Sequence, residues 1–141
     1  MNHIPDLGSL NYPCYLVPIM PYIEKELNLF GNTILAYQLP TTQYLWFDCI
    51  PNQDFIKKKC KLTYEERLKL LRHTLTEVAD FSKHIDIPWK VSNPVELREF
   101  YKDALTNDCK GVKIYDVNGY FTFGEENDKY WELVPKEVVI E

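Results

Sequence analysis

A capping box constrains the fold of this 141-residue chain more than any other feature. Thr63 is followed three residues later by Glu66, so each side chain can bond to a free backbone N–H at the start of a helix. The apolar residues that follow recur at intervals of three and four and would share one helix face: Leu68, Leu71, Leu75, Val78 and Ala79. The sequence therefore predicts an amphipathic helix over about 63–83.

A second helix start follows in the sequence. Asn93 is suited to cap the helix, Pro94 to occupy its first turn, and Glu96 to complete a second capping box. The apolar face of this helix would be formed by Leu97, Phe100, Tyr101, Ala104 and Leu105. The predicted helix covers about 93–107.

The N-terminal part of the chain is rich in proline. Residues 1–20 are predicted to form an extended, turn-rich leader, because this range contains Pro5, Pro13 and Pro18. Pro21 can start a short helix over 21–30. The apolar residues with helical spacing in that range are Ile23, Leu27 and Phe30.

The remaining segments are short β runs that are joined by turns. Two runs on either side of Pro40 predict a hairpin. In the tail, Asn118 and Gly119 form a favoured two-residue hairpin turn, because both central residues of such a turn need a positive φ. The predicted strands cover about 33–39, 43–50, 111–117, 120–124 and 129–134.

These elements predict a single α+β domain over residues 1–141. The predicted order is α-ββ-αα-βββ, a mostly antiparallel sheet of about five strands with about three helices packed on one face. No apolar run is long enough for a membrane helix, and no secretory signal is recognisable, so we expect a cytoplasmic protein that does not contact membranes. The abundance of Lys, Asn, Ile, Tyr and Phe is also typical of AT-rich genomes, including those of bacteria, phages and viruses.

The charge distribution bears on the class of partner. The net charge is −5, with acids in excess over 1–56 and 114–141 and bases in excess over 57–113. Nucleic acid is not an expected partner, because its binding favours a strongly basic face. One basic cluster, Lys57, Lys58, Lys59 and Lys61, is predicted to be a solvated loop, although it could contact phosphates or an anionic membrane surface.

Aromatic residues make up 14% of the chain and concentrate in the β segments. Tyr and Trp are enriched at protein interfaces, whereas the alternative is that these rings fill the core. We predict a non-enzymatic domain that binds a protein partner, as an inhibitor, an immunity or counter-defence factor, or a small assembly factor. A structural subunit of a larger particle is a further alternative. The predicted contact residues are Tyr120, Glu125, Glu126, Asp128, Tyr130 and Trp131.

An enzymatic alternative depends on two aspartates. Asp48 and Asp116 each end a predicted strand, and neighbouring strands could bring them together to hold Mg²⁺. The chain would then be a small magnesium-dependent phosphodiesterase or nuclease. Aspartates at strand ends are also ordinary turn formers. No other catalytic motif, phosphate-binding glycine loop or cofactor site is recognisable, so no cofactor is expected.

Four polar residues of the first predicted helix would form one stripe: His73, Glu77, Asp80 and His84. Such a stripe could hold a metal ion or act as an acid/base pair. It lies opposite the apolar face, however, and a solvated helix surface has the same pattern. We interpret the stripe as solvated, because a metal site in a helical bundle draws its ligands from several helices.

Overall fold

The computed structural model describes residues 10–80, 83–121, 123 and 131–134. Within these residues the chain forms two four-stranded sheets and three helices, and the pairing is mostly antiparallel, which confirms the α+β class. The strands are β1 Cys14–Pro18, β2 Ile23–Leu29, β3 Asn32–Gln38, β4 Tyr44–Pro51, β5 His84–Asp86, β6 Trp89–Val91, β7 Val112–Asp116 and β8 Trp131–Leu133. The helices are α1 Asn52–Lys57, α2 Tyr64–Thr76 and α3 Pro94–Thr106.

The strands belong to two sheets, so the prediction of a single five-stranded sheet is wrong. The first sheet has the order β6-β1-β7-β8, and the second has the order β2-β3-β4-β5. Every pair is antiparallel except β4 with β5. Strands of three residues, such as β5 and β6, are too short to show a periodic pattern, which is why the sequence did not predict them.

The predicted helix over 21–30 is β2 instead, and it forms a hairpin with β3. The turn consists of Phe30 and Gly31, both with positive φ (51° and 79°). That is the conformation that two-residue hairpin turns require. The apolar spacing of this segment fits a helix as well as a strand, and the pairing with β3 decided between them.

The capping box of α2 is present as predicted. Thr63 Oγ1 accepts a hydrogen bond from the Glu66 backbone N–H, and Glu66 Oε1 accepts one from the Thr63 N–H at 3.0 Å. The helix ends at Thr76, seven residues earlier than the sequence predicts. Near this end, the hydroxyls of Thr74 and Thr76 donate to backbone carbonyl groups of the preceding turn, which is a pattern that weakens helices.

The helix predicted over about 93–107 is α3. Asn93 Oδ1 accepts from the backbone N–H of Glu96 at 3.0 Å, and Pro94 lies at the first turn. The predicted leader contains β1, which lies between β6 and β7, while residues 1–9 are outside the described part of the chain.

The predicted hairpin at Asn118 and Gly119 is not formed, because neither residue has a positive φ. Instead, the Gly119 N–H donates to the carbonyl of Asp116, and Tyr120 pairs with Thr63 in an isolated antiparallel bridge. The third predicted tail strand is confirmed in part as β8, which pairs with β7. Residues 122 and 124–130 of the predicted tail lie outside the described residues.

Alternation along the first sheet divides the core. One face of β1 and β7 packs with α3 in a cluster of Cys14, Leu16, Leu97, Ala104, Val112 and Ile114. The other face contributes Tyr15, Val17 and Tyr115 to a cluster with the second sheet and α2. The first sheet therefore lies between α3 and the second sheet. No helix among the described residues has the length and apolar character needed to cross a membrane.

The short parallel strand β5 pairs with β4 over three residues, and the side chain of His84 adds a further contact to this pairing. Trp46 Nε1–H donates to His84 Nδ1 at 3.1 Å, and the His84 ring stacks on Tyr44 with centroids 5.6 Å apart. Burial lowers the pKa of His84, although Asp80 opposes this effect. The neutral imidazole is therefore the form that this contact requires.

Acidification is expected to weaken the attachment of β5. Because the pKa of His84 is lower in the folded chain than in the unfolded chain, the unfolded state binds more protons between the two values. The stabilisation is present above about pH 6.5 and is lost as the pH falls through the folded value. We expect wild type to lose more of its free energy of unfolding than a His84→Gln variant between about pH 7.5 and 5.5, as measured by urea denaturation. An equal loss of unfolding free energy in the two proteins would contradict this prediction. The control is His73→Gln, a change of the same kind at an exposed position.

Candidate functional site

The lysine cluster predicted from the sequence begins at Lys57, the last residue of the short helix α1. Lys58 caps this helix with left-handed backbone angles, φ 57° and ψ 38°, and its N–H donates to the carbonyl of Phe55 at 3.3 Å. The chain turns sharply here, and Cys60 is buried. The side chains that remain exposed around this turn are those of Lys57, Lys58, Lys59 and Lys61.

Two aromatic rings lie against one of these lysines, Lys58. Lys58 Nζ is 5.4 Å from the centroid of Phe55 and 5.8 Å from that of Phe123. The two rings contact each other edge to face at 5.7 Å. They rest on a small buried cluster of Ile50, Cys60 and Phe121. The lysine segment is thus supported by packed rings and is more than a solvated loop.

Tyr120 approaches the end of the lysine segment from a distant part of the sequence. Its backbone pairs with Thr63, two residues after Lys61, and its side chain is 57% exposed. We call this surface the basic–aromatic patch. It consists of Phe55, Lys57, Lys58, Lys59, Lys61, Tyr120 and Phe123.

The four lysines of the patch all have exposed side chains. Within residues 10–80, 83–121, 123 and 131–134, no ion pair engages any of its four lysines. Exposed ammonium groups and an exposed ring on one surface suit a polyanion with stacked planar groups, which is the chemistry of a nucleic-acid strand.

A buried ion pair positions the patch from below. Arg67 Nε lies 2.8 Å from Asp48 Oδ1, and both side chains are 1% exposed. Arg67 Nη1 donates to the carbonyl of Leu62 at 2.8 Å and to that of Gly119 at 3.2 Å. These carbonyls are adjacent in sequence to Lys61 and Tyr120, so one guanidinium fixes the two segments that form the patch.

The buried ion pair changes the interpretation of Asp48 as a magnesium ligand. Asp48 Oδ1 accepts from Arg67 and from the backbone N–H of Cys49, and the carboxylate is fully buried. Asp116 Oδ1 accepts from the backbone N–H of Asn118 at 2.9 Å, as a turn former does. In the part of the chain that the structure describes, no three His, Cys, Asp or Glu side chains are placed to hold a metal ion.

The polar stripe does not form on one helix, because α2 ends at Thr76. His73 is exposed in the last turn of α2, and Glu77 caps its C-terminus. Asp80 lies in the turn that follows, and His84 lies in β5. The single-helix geometry predicted for a metal or acid/base stripe is therefore wrong, whereas exposure of its first three residues is observed.

The other predicted contact residues fall largely outside the described part of the chain. Glu125, Glu126, Asp128 and Tyr130 belong to the undescribed range 124–130. The backbone of Trp131 begins β8 and pairs with Ile114.

A feature that sequence reasoning missed lies between the two sheets. Lys113 of β7 has a side chain only 6% exposed, and its Nζ lies 2.7 Å from Oε1 of Glu24 in β2. The ammonium lies 4.6 Å from the ring centroid of Phe47 and 5.4 Å from that of Tyr37. Burial raises the pKa of Tyr37, and Lys113 partly opposes this effect. No sequence signal identifies a pair separated by 89 residues.

No protein-family model and no curated protein sequence matches the chain. Among solved structures, its fold is similar to that of Chlorella virus DNA ligase-adenylate in two crystal structures. One gives a TM-score of 0.67 at 13% identity and covers 94% of this chain and 65% of the ligase chain. The other gives a TM-score of 0.68 at 17% identity and covers 94% of this chain and 66% of the ligase chain. A structure named Pmar-Lig_PreS3 gives a TM-score of 0.62 at 13% identity. It covers 87% of this chain and 40% of the chain in that structure.

This likeness establishes the fold, and the chain spans less than two thirds of each of these ligase chains. It corrects two predictions from the sequence: the non-enzymatic protein-binding domain of inhibitor, immunity or assembly type, and the exclusion of nucleic acid as a partner. The first relied on aromatic content, and the second relied on charge summed along the chain. Neither quantity describes which side chains become neighbours on the folded surface.

Proposed function

We propose that this chain, which has the fold of a DNA ligase over most of its length, is a DNA-binding domain and that the basic–aromatic patch contacts the DNA. The observation that carries the proposal is a run of four exposed lysines in that fold, whose end the exposed Tyr120 approaches through its backbone pairing with Thr63. Joining of DNA strands is a property of the ligases, whose chains extend beyond the part that this chain matches.

Each component of the patch has a separate role in the proposal. The four lysines contact phosphates and release condensed counterions, which makes binding strongly dependent on salt. Tyr120 offers a ring face for stacking, worth about 1–3 kcal/mol per base. Arg67 is a positioning residue, because it holds the carbonyls of Leu62 and Gly119 without reaching the surface itself.

The net charge of −5 limits this interaction. A negatively charged protein repels a polyanion at long range, and salt screens both this repulsion and the local attraction of the lysines. We therefore place DNA binding by this chain at the weak, salt-sensitive end of the usual range. Binding measurements should begin at low ionic strength.

We also propose the cytoplasm as the compartment of this chain. Its four cysteines, Cys14, Cys49, Cys60 and Cys109, are free thiols. Burial raises the pKa of Cys14 to about 11 and that of Cys49 to about 12, so both remain protonated thiols at neutral pH. Free thiols are typical of a reducing compartment.

Removal of the patch charges tests the proposed function. In a variant with Lys57, Lys58, Lys59 and Lys61 all replaced by alanine, we expect affinity for a fluorescent single-stranded DNA to fall more than tenfold at low salt. The slope of log K against log salt should decrease by about 0.7 for each phosphate that the variant no longer neutralises. Fluorescence anisotropy over a salt series measures both quantities.

A matched control removes the same charge elsewhere. Lys69, Arg98, Lys102 and Lys110 are exposed on or beside α2 and α3, and their replacement by alanine changes the net charge equally. We expect this control to retain the wild-type slope of log K against log salt. Equal losses in the two variants would show that only net charge matters and would refute the patch as the contact surface.

A further inference from the structure

A groove opens beside the basic–aromatic patch, between the β2–β3 hairpin and α1. Its volume is about 440 Å³, within the range of small-molecule sites. It is lined by Glu26, Asn28, Thr33, Asn52, Phe55 and Ile56. Phe55 belongs to both the groove and the patch, and Lys58 lies on its ring. A molecule in the groove would therefore be adjacent to the patch lysines.

The polar groups of the groove are arranged by one hydroxyl. Thr33 Oγ1 lies 2.7 Å from Asn52 Oδ1 and 3.3 Å from Asn28 Oδ1, and it can donate to either amide oxygen. With the oxygens turned to Thr33, each asparagine retains its NH₂ group as a donor. Among the described residues, no hydrogen bond engages these two NH₂ groups. The carboxylate of Glu26 supplies acceptors in the same groove.

The apolar groups of the groove provide a flat contact. The Phe55 ring is half-buried, held in place by Phe123, and Ile56 is 78% exposed. An exposed isoleucine beside a fixed ring and two amide donors matches a planar heterocycle whose edge carries both acceptors and donors. Nucleobases have this chemistry, and amide side chains read their edges.

On the basis of the proposed function, we infer that this groove holds one unpaired base of a DNA strand whose phosphates lie on the patch lysines. The base must be unpaired, because a duplex keeps its Watson–Crick edges paired and its faces stacked. The groove therefore makes the chain selective for single-stranded over duplex DNA, whereas the lysines bind the phosphates of either form.

The test compares single-stranded and duplex DNA of one length, by fluorescence anisotropy on the full chain. An Asn28→Ala, Asn52→Ala double variant should lose about tenfold in affinity for the single strand, with duplex binding and the salt slope unchanged. Asn11→Ala, at an exposed position before β1, is the control and should bind both forms as wild type does.

A second variant keeps the inference testable if the double variant is unstable. Ile56→Ala alters an exposed side chain, so the fold should persist, and it should also lower single-strand affinity selectively. If the folded variants retain wild-type preference for the single strand, the groove holds no base and the inference is wrong. That result leaves the proposed function intact. The proposed function is contradicted only if removal of the four patch lysines lowers DNA affinity no more than the charge-matched control does.

Discussion

Replacing Arg67 by alanine is expected to lower the free energy of unfolding by about 3–5 kcal/mol, because the change leaves a buried carboxylate without its partner. Arg67 and Asp48 are both 1% exposed and 2.8 Å apart. Asp48 Oδ2 already has no hydrogen-bond partner among the described residues. The same substitution frees the carbonyls of Leu62 and Gly119, which Arg67 otherwise binds.

Urea denaturation measures this loss, and Arg72→Ala is the matched control. Arg72 pairs with Asp86 at 3.0 Å, but its side chain is about half exposed, so its removal should cost less than about 1 kcal/mol. A double variant, Asp48→Leu with Arg67→Met, removes both charges and should recover much of the loss. Similar losses for Arg67→Ala and Arg72→Ala would contradict the importance of burial.

Replacing Trp46 by alanine should have an effect of comparable size, about 3–5 kcal/mol, because Trp46 is fully buried. The side chain contacts the His84 ring with centroids 5.1 Å apart, in addition to donating the hydrogen bond. Its loss therefore leaves a cavity in the second sheet and removes the side-chain hydrogen bond to His84 of β5.

Two further variants separate packing from hydrogen bonding. Trp46→Phe retains most of the ring contact but cannot donate to His84, so it should cost about 1 kcal/mol and reduce the extra pH dependence that His84 contributes. Trp89→Ala is the control, because Trp89 is 61% exposed and surface changes usually stay within about 0.5 kcal/mol. Thermal denaturation with equal losses for Trp46→Ala and Trp89→Ala would rule out the predicted role of burial.

The elements that the sequence predicted correctly carry local signals. The start of α2 is fixed by Thr63 and Glu66, and that of α3 by Asn93 and Glu96, all within one helical turn. The β3–β4 hairpin was likewise predicted from residues that are close together in the sequence. The prediction of a helix over 21–30 was wrong because the apolar spacing of this segment fits a helix as well as a strand. Its pairing with β3 decided for the strand.

The candidate site could be predicted only in part. The sequence indicated the lysine cluster and Tyr120 separately, and it opposed a nucleic-acid role because of the acidic flanks. The structure pairs Tyr120 with Thr63, two residues after Lys61, and so brings the two features close together. The groove requires β2, β3 and α1 together, and of these only β3 was predicted as a strand and α1 was not predicted at all.

By itself, the sequence determined the α+β class and the starts of two helices, because caps act through atoms a few bonds apart along the chain. Only the tertiary structure decided that there are two sheets, that Asp48 pairs with Arg67, and that Lys113 reaches Glu24 across the core. These contacts join residues that are 19 and 89 positions apart. Strand pairing and packing bring residues so far apart in the sequence into contact, and no local sequence pattern encodes such contacts.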